Sequence, residues 1–153
     1  MSEARRIEDQ LKRALQGEAW HGPSILELLT DVTAAQAAAK PLAGAHSIWE
    51  IVLHITAWVD AARRRVEGDE AKLTAEQDWP AVRETGEAAW KAAGEGMKNA
   101  HRALEETILR LEESRLNDQA PGQQYSVYFL LHGVVQHDLY HAGQIAILKK
   151  VSR

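Results

Sequence analysis

The stretch Gly133-Val-Val-Gln-His137-Asp-Leu-Tyr-His141-Ala-Gly-Gln-Ile145 decides how the rest of the chain is read. At about 100° per residue, Val127, Leu130, Val134, His137, His141, Ile145 and Leu148 share one stripe roughly 80° wide. Such a stripe is the core-facing side of a long helix, expected from about Ser126 to Val151. Two imidazoles therefore lie in the middle of a surface destined for burial. Left without partners, each would cost roughly 1–3 kcal/mol. At spacing i, i+4 they stack one turn apart on one face, where both can grip a single metal ion. The residues between them, Asp138-Leu-Tyr140, include no Glu general base of the kind that helical zinc-protease pairs carry.

The flanking sequence is helical too. Ala, Leu, Glu, Lys, Arg and Gln abound, and the prolines fall where helices can begin or stop, so an all-α domain over residues 1–153 is expected. A first helix covers about Glu3 to Gln16 and stops at Gly17; a short piece follows at Ile25 to Leu29, and Thr33 with Gln36 fits a capping box. Ser47 with Glu50 is a second capping box, opening a helix to about Glu67 whose apolar face is Ile48, Ile51, Val52, Ile55, Val59 and Ala62. Residues 68–80 lack an apolar period. Pro80 can occupy the first position of a third long helix to about Glu113, with Val82, Ala89, Ala93, Met97, Ala100, Leu104, Ile108 and Leu111 inward. Gly86, Gly94 and Gly96 then mark either a local bend and a close approach, or tolerated surface positions. Asn117 to Gly122 is a turn before the fourth helix.

A third partner for the histidine pair is sought by depth along the bundle. His137 and His141 lie roughly 20 Å into the fourth helix, and His54 lies roughly 20 Å from the end of the second long helix but about 10 Å from its start. With those helices antiparallel, His54 comes level with the pair. With them parallel it misses by about 10 Å, far more than a metal–nitrogen bond of about 2 Å. The segment 68–80 spans roughly 40 Å when extended, enough for a long crossover that returns the third helix parallel to the second. Site and topology support one another, and a metal triad of His54, His137 and His141 competes with a water-bridged polar core. Glu50, Gln144, Tyr140 and Asp138 are candidates to orient the imidazoles or bind substrate, each weighed against a plain surface or packing role. Trp49, Trp58 and Trp90 read as core or cleft wall. His132 reads as structural or surface, and His21, His46 and His101 as loop, cap and helix edge respectively.

Composition narrows the rest. The chain has 153 residues, a formal charge of −4, seven histidines and no cysteine. The missing cysteine excludes a disulfide framework, a thiolate zinc site and an intrinsic thiol nucleophile. No basic stretch offers a footprint for nucleic acid or anionic lipid. No apolar run is long enough to span a membrane, and Met-Ser-Glu-Ala-Arg-Arg precedes no apolar leader, so a cytoplasmic protein is expected.

Together His46-Ser-Ile-Trp-Glu-Ile-Val-Leu-His54-Ile-Thr-Ala-Trp58, the 133–145 stretch, Trp20-His-Gly-Pro-Ser24 and Asp78-Trp-Pro80 resemble the DinB/YfiT superfamily of metal-dependent enzymes. The resemblance implies a four-helix bundle in up-down-down-up order, often a homodimer, with a divalent metal held by His54, His137 and His141. Similar proteins include transferases that use low-molecular-weight thiols such as bacillithiol, and a mycothiol-dependent maleylpyruvate isomerase. Three imidazoles leave a coordination position open, as catalytic sites do. They suit zinc or nickel first, then iron or copper. The leading expectation is a metal-dependent enzyme that activates an external thiol for transfer to an electrophilic small molecule. The alternatives are a hydrolase in which the metal ionises water, and a metal-binding stress-response bundle without turnover.

Overall fold

Helix starts are fixed locally by side chains that take the free N–H groups of the first turn. In the computed structural model, which describes residues 1–152, Ser2 caps helix α1, Glu3–Gln16. Reciprocal Ser/Thr-with-Glu/Gln boxes start α2, Ile25–Leu29; α3, Ala34–Ala38; α4, Ile48–Val66; and a short α5, Ala75–Asp78. Helix α6 spans Glu87–Arg110, a 3-10 turn covers Glu113–Asn117, and α7 spans Val127–Val151 behind its cap Ser126. The described residues form seven α-helices and no strand. None of these helices is long and apolar enough to cross a membrane.

Two expectations need correction. The third long helix begins at Glu87, not at Pro80, because residues 79–86 form a non-helical lead-in that ends on Gly86 as the cap. Two anchors hold that start in place: Glu87 accepts the Ala34 N–H at 3.0 Å, and the Trp90 indole donates to the Val32 carbonyl at 2.9 Å. The same helix ends at Arg110, short of the expected Glu113, where the 3-10 turn begins. The segment after Gly68 also contains α5, which has a Thr74–Gln77 capping box but no apolar face to announce it. Gly94 and Gly96 are tolerated surface positions, since a Cβ at either would meet nothing within 4 Å.

The core runs along one side of each long helix: Ile7 and Leu11 of α1, Ile51 and Ile55 of α4, Met97 and Leu104 of α6, Leu131 and Ile145 of α7, all fully buried. Each such side chain contributes roughly 1.5–3 kcal/mol on leaving water. Helix α4 packs against both α6 and α7, and α1 packs against the same two. Trp49, at the start of α4, meets Trp90 near the start of α6, with ring centres 5.2 Å apart. At the other end, the Thr107 hydroxyl of α6 donates to Glu67 at 2.9 Å. Arg65, near the end of α4, reaches Tyr125 just before α7 at 3.0 Å. These contacts carry His54 on α4 to the level of His137 and His141 on α7.

Candidate metal centre

The three imidazoles converge. His137 Nε2 stands 3.0 Å from His54 Nε2 and 3.1 Å from His141 Nε2. All three ligand-capable nitrogens lie within 4.8 Å of one another. The outer nitrogens decide what these contacts are. His54 Nδ1 donates to the Asp78 carbonyl at 2.6 Å, with the Asp78 carboxylate at 3.1 Å. His141 Nδ1 donates to Gln144 Oε1 at 2.6 Å. A neutral imidazole carries one proton, so both Nε2 atoms present lone pairs to the centre. His137 Nε2 can satisfy one of them at most, and its Nδ1 is buried without a partner. A cluster whose lone pairs face one another is poor as a hydrogen-bond network and well suited to a cation. Ligand nitrogens around a tetrahedral zinc stand about 3.3 Å apart, given bonds of about 2.0–2.1 Å, close to the two spacings through His137 Nε2, so the donor set suits a shared divalent ion.

Electrostatics keep the rings ready to ligate. Burial lowers the pKa of His54 and of His141, and burial reinforced by its two neighbours lowers His137 to about 3. All three are neutral near pH 7, the form a metal requires.

A segment without periodic pattern supplies the outer wall. The Trp79 indole stacks on His54 at 3.7 Å and on His46 at 3.5 Å, a three-ring sandwich. Trp58 Nε1–H donates to Asp78 Oδ1 at 2.6 Å and holds the end of α5 against α4. The roles of Asp78 and Trp79 escaped the sequence reading; a lone Asp-Trp before Pro in an otherwise polar connection is the signal that was available. His46 is more than a cap, since its ring forms the outer leaf of the sandwich.

Gln144 is where an orienting residue should be. Tyr140 is exposed, its ring centre 5.2 Å from that of His141. Glu50 lies elsewhere: its carboxylate accepts the Ser47 N–H at 2.7 Å and pairs with Lys40 at 3.0 Å, and among the described residues no bond ties it to the three histidines. His101 is not a helix-edge residue and Asp138 is not on the surface. Both are fully buried, paired through His101 Nε2 and Asp138 Oδ2 at 2.9 Å, a bond that crosses the bundle interior between α6 and α7, each of which packs on α1 and α4. His132 is half exposed beside Tyr128, and His21 is exposed in its loop.

Two cavities flank the cluster. One, of about 390 Å³, is bounded by His46, Trp79, Tyr140, His141 and Gln144 with Ile51 beneath. The other, of about 180 Å³, is bounded by His137, Trp58, Tyr125, Phe129 and Gly133. The centre is thus reachable from two sides by small molecules.

Comparison with known proteins adds one positive result. No curated protein and no solved structure matches the chain. The family model for the DinB superfamily matches residues 19–145, a span that contains all three histidines as well as Asp78, Trp79 and Gln144. This match covers most of the chain, and the chain belongs to the DinB superfamily.

Proposed function

We propose that this chain is a metal-dependent enzyme in which His54, His137 and His141 hold one divalent ion and a low-molecular-weight thiol is transferred to an electrophilic small molecule. One observation carries the reading: lone pairs converge at the centre while the outer nitrogens of His54 and His141 are held by Asp78 and Gln144. Zinc or nickel suits three imidazoles best, with iron or copper next. When bound, such an ion lowers the pKa of a thiol or of water toward neutrality.

The chain's own residues do the rest. Trp79 shields His54 from solvent and fixes its ring plane. The larger cavity receives the apolar part of a reactant beside His141, and Tyr140 and Gln144 stand at its edge. The chain has no cysteine, so the sulfur arrives with the cosubstrate. That sulfur bonds the electrophilic carbon, and the thiol proton ends on the adduct or departs with the leaving group.

The bundle order that suits this site is up-down-down-up. It is supported by Trp49 meeting Trp90 while Glu67 meets Thr107, which runs α4 alongside α6, and by Arg65 reaching Tyr125, which opposes α4 to α7. A homodimer is supported by Phe129, Tyr140, Ile147 and Val151, all exposed and within one stripe of α7 about 40° wide. A second copy on that stripe would border both cavities, and sedimentation at rising concentration tests it.

The activity test follows conjugation of several thiols to 1-chloro-2,4-dinitrobenzene by ultraviolet absorbance, for zinc-loaded, nickel-loaded and metal-free protein and for His137→Ala. The proposal expects a rate that appears with metal and vanishes in the variant. No rate above the metal-free control with any thiol would overturn it. Cleavage of a model ester under the same conditions would favour the hydrolase, and metal uptake without either rate the non-catalytic bundle.

A further inference from the structure

Two walls of the smaller cavity, Trp58 and Tyr125, also touch a cation that has no counter-ion among the described residues. Arg65 is 5% exposed, yet among the described residues no carboxylate comes within ion-pairing distance of it. Its Nε and Nη2 donate to the Ala71 carbonyl at 3.0 and 2.8 Å, and its Nη1 donates to Tyr125 Oη at 3.0 Å. Its guanidinium carbon also lies 5.5 Å from the centre of the Trp58 ring. Trp58 and Tyr125, the two aromatic side chains that touch Arg65, both line the cavity that ends on His137. Tyr125 Oη accepts from a cation, which makes its own O–H a stronger donor, and among the described residues that proton has no acceptor. A buried charge without a counter-ion favours an anion nearby. The rest of the wall is apolar, built from Ala62, Phe129, Leu130 and Val134, and at Gly133, which also lines it, a Cβ would meet nothing within 4 Å.

We infer that this cavity is a second reactant subsite, separate from the larger cavity, and that it takes a small flat molecule bearing a carboxylate. The ring or unsaturated body lies between Trp58 and Phe129 beside His137, and the carboxylate accepts the Tyr125 hydroxyl in the field of Arg65. Size agrees: a cavity of roughly 150 Å³ admits benzene, and this one measures about 180 Å³. Tyr125 is then the residue that selects anionic over neutral reactants. The inference rests on the proposed function only for what happens to the ligand after it binds.

The test uses the full chain, metal-free and zinc-loaded, titrated with benzoate and with toluene while the Gly133 amide and the Trp58 indole N–H are followed by NMR. Benzoate should bind the metal-free protein more tightly than toluene. Tyr125→Phe, checked for folding by thermal unfolding, should weaken benzoate by about tenfold or more and leave toluene unchanged. Gly133→Val, which adds a branched side chain to the cavity wall, should abolish binding of both and serves if Tyr125→Phe fails to fold. Unchanged benzoate affinity in Tyr125→Phe, binding indifferent to Gly133→Val, or benzoate binding that requires zinc would each overturn the subsite. Failure of metal uptake would instead sink the proposed function and leave the metal-free result standing.

Discussion

Helix α7 carries two buried histidine arrangements on neighbouring faces, one through His137 and His141 toward α4 and the other through Asp138 toward His101 of α6. Their surroundings push the ring charge in opposite directions. In the first, the outer nitrogens of His54 and His141 donate outward, the inner nitrogens are bare, and burial pushes His137 down to about 3. In the second, burial also opposes charge, but the Asp138 carboxylate at 2.9 Å and the Met97 carbonyl at 2.8 Å raise His101 above its ordinary value. Both of its nitrogens face oxygen atoms, an arrangement that favours the charged ring and ties α6 to α7. Burial alone does not decide what a histidine becomes; the atoms opposite its two nitrogens do.

The largest way to break this contrast is to strand one charge. Asp138→Ala leaves a buried imidazolium unpaired and should cost about 3–5 kcal/mol in urea unfolding, whereas the double change His101→Leu with Asp138→Leu should recover most of that loss. A loss under 1 kcal/mol in the single variant would show that the pair is not charged.

Acidity separates the two arrangements next. In metal-free protein His137 is held at about 3 against 6.5 unfolded, so the unfolded chain binds more protons between those values. Stability is therefore intact above pH 6.5 and falls as the pH drops toward 3. The raised His101 works in the other sense: its contribution is full below pH 6.5 and is lost as pH rises through its folded value. Denaturant titrations across pH should show His137→Ala flattening the acid limb, by on the order of 2 kcal/mol, and the Leu double variant flattening the alkaline one. Unchanged limbs in both variants would contradict the assignment.

The smallest effects sharpen the site itself. Gln144→Leu frees the tautomer of His141 and should weaken zinc by about 10–100-fold. Glu50→Ala should leave zinc affinity alone and cost about 1 kcal/mol of stability, as the loss of a helix cap does. Equal zinc affinities for Gln144→Leu and wild type would remove Gln144 from the centre.

What was legible in the sequence follows the range of the interactions. Capping boxes at Thr33 and Ser47 act over three residues, and the structure has both. The pairing of His137 with His141 is one helical turn, and His54 joined them through helix lengths and a crossover long enough to align depths. The backing of His54 by Asp78 and Trp79 was not legible, because that loop has no period and its contact is set by tertiary packing. The His101–Asp138 pair was missed for a related reason: each residue sits at the margin of its own apolar stripe, and only the packing of both α6 and α7 on α1 and α4 encloses those margins in a shared interior. The start at Glu87 was misjudged because Pro80 satisfies the rule for a first helical position, while the anchors to Ala34 and Val32 that fix the true start come from residues more than fifty positions away.

The central claim is that three neutral imidazoles form one metal site. Its most direct test is elemental analysis of protein purified without an affinity tag, wild type beside His137→Ala. The account predicts close to one divalent ion per wild-type chain and almost none in the variant. Equal and negligible metal in both, after exposure to zinc and to nickel, would contradict it.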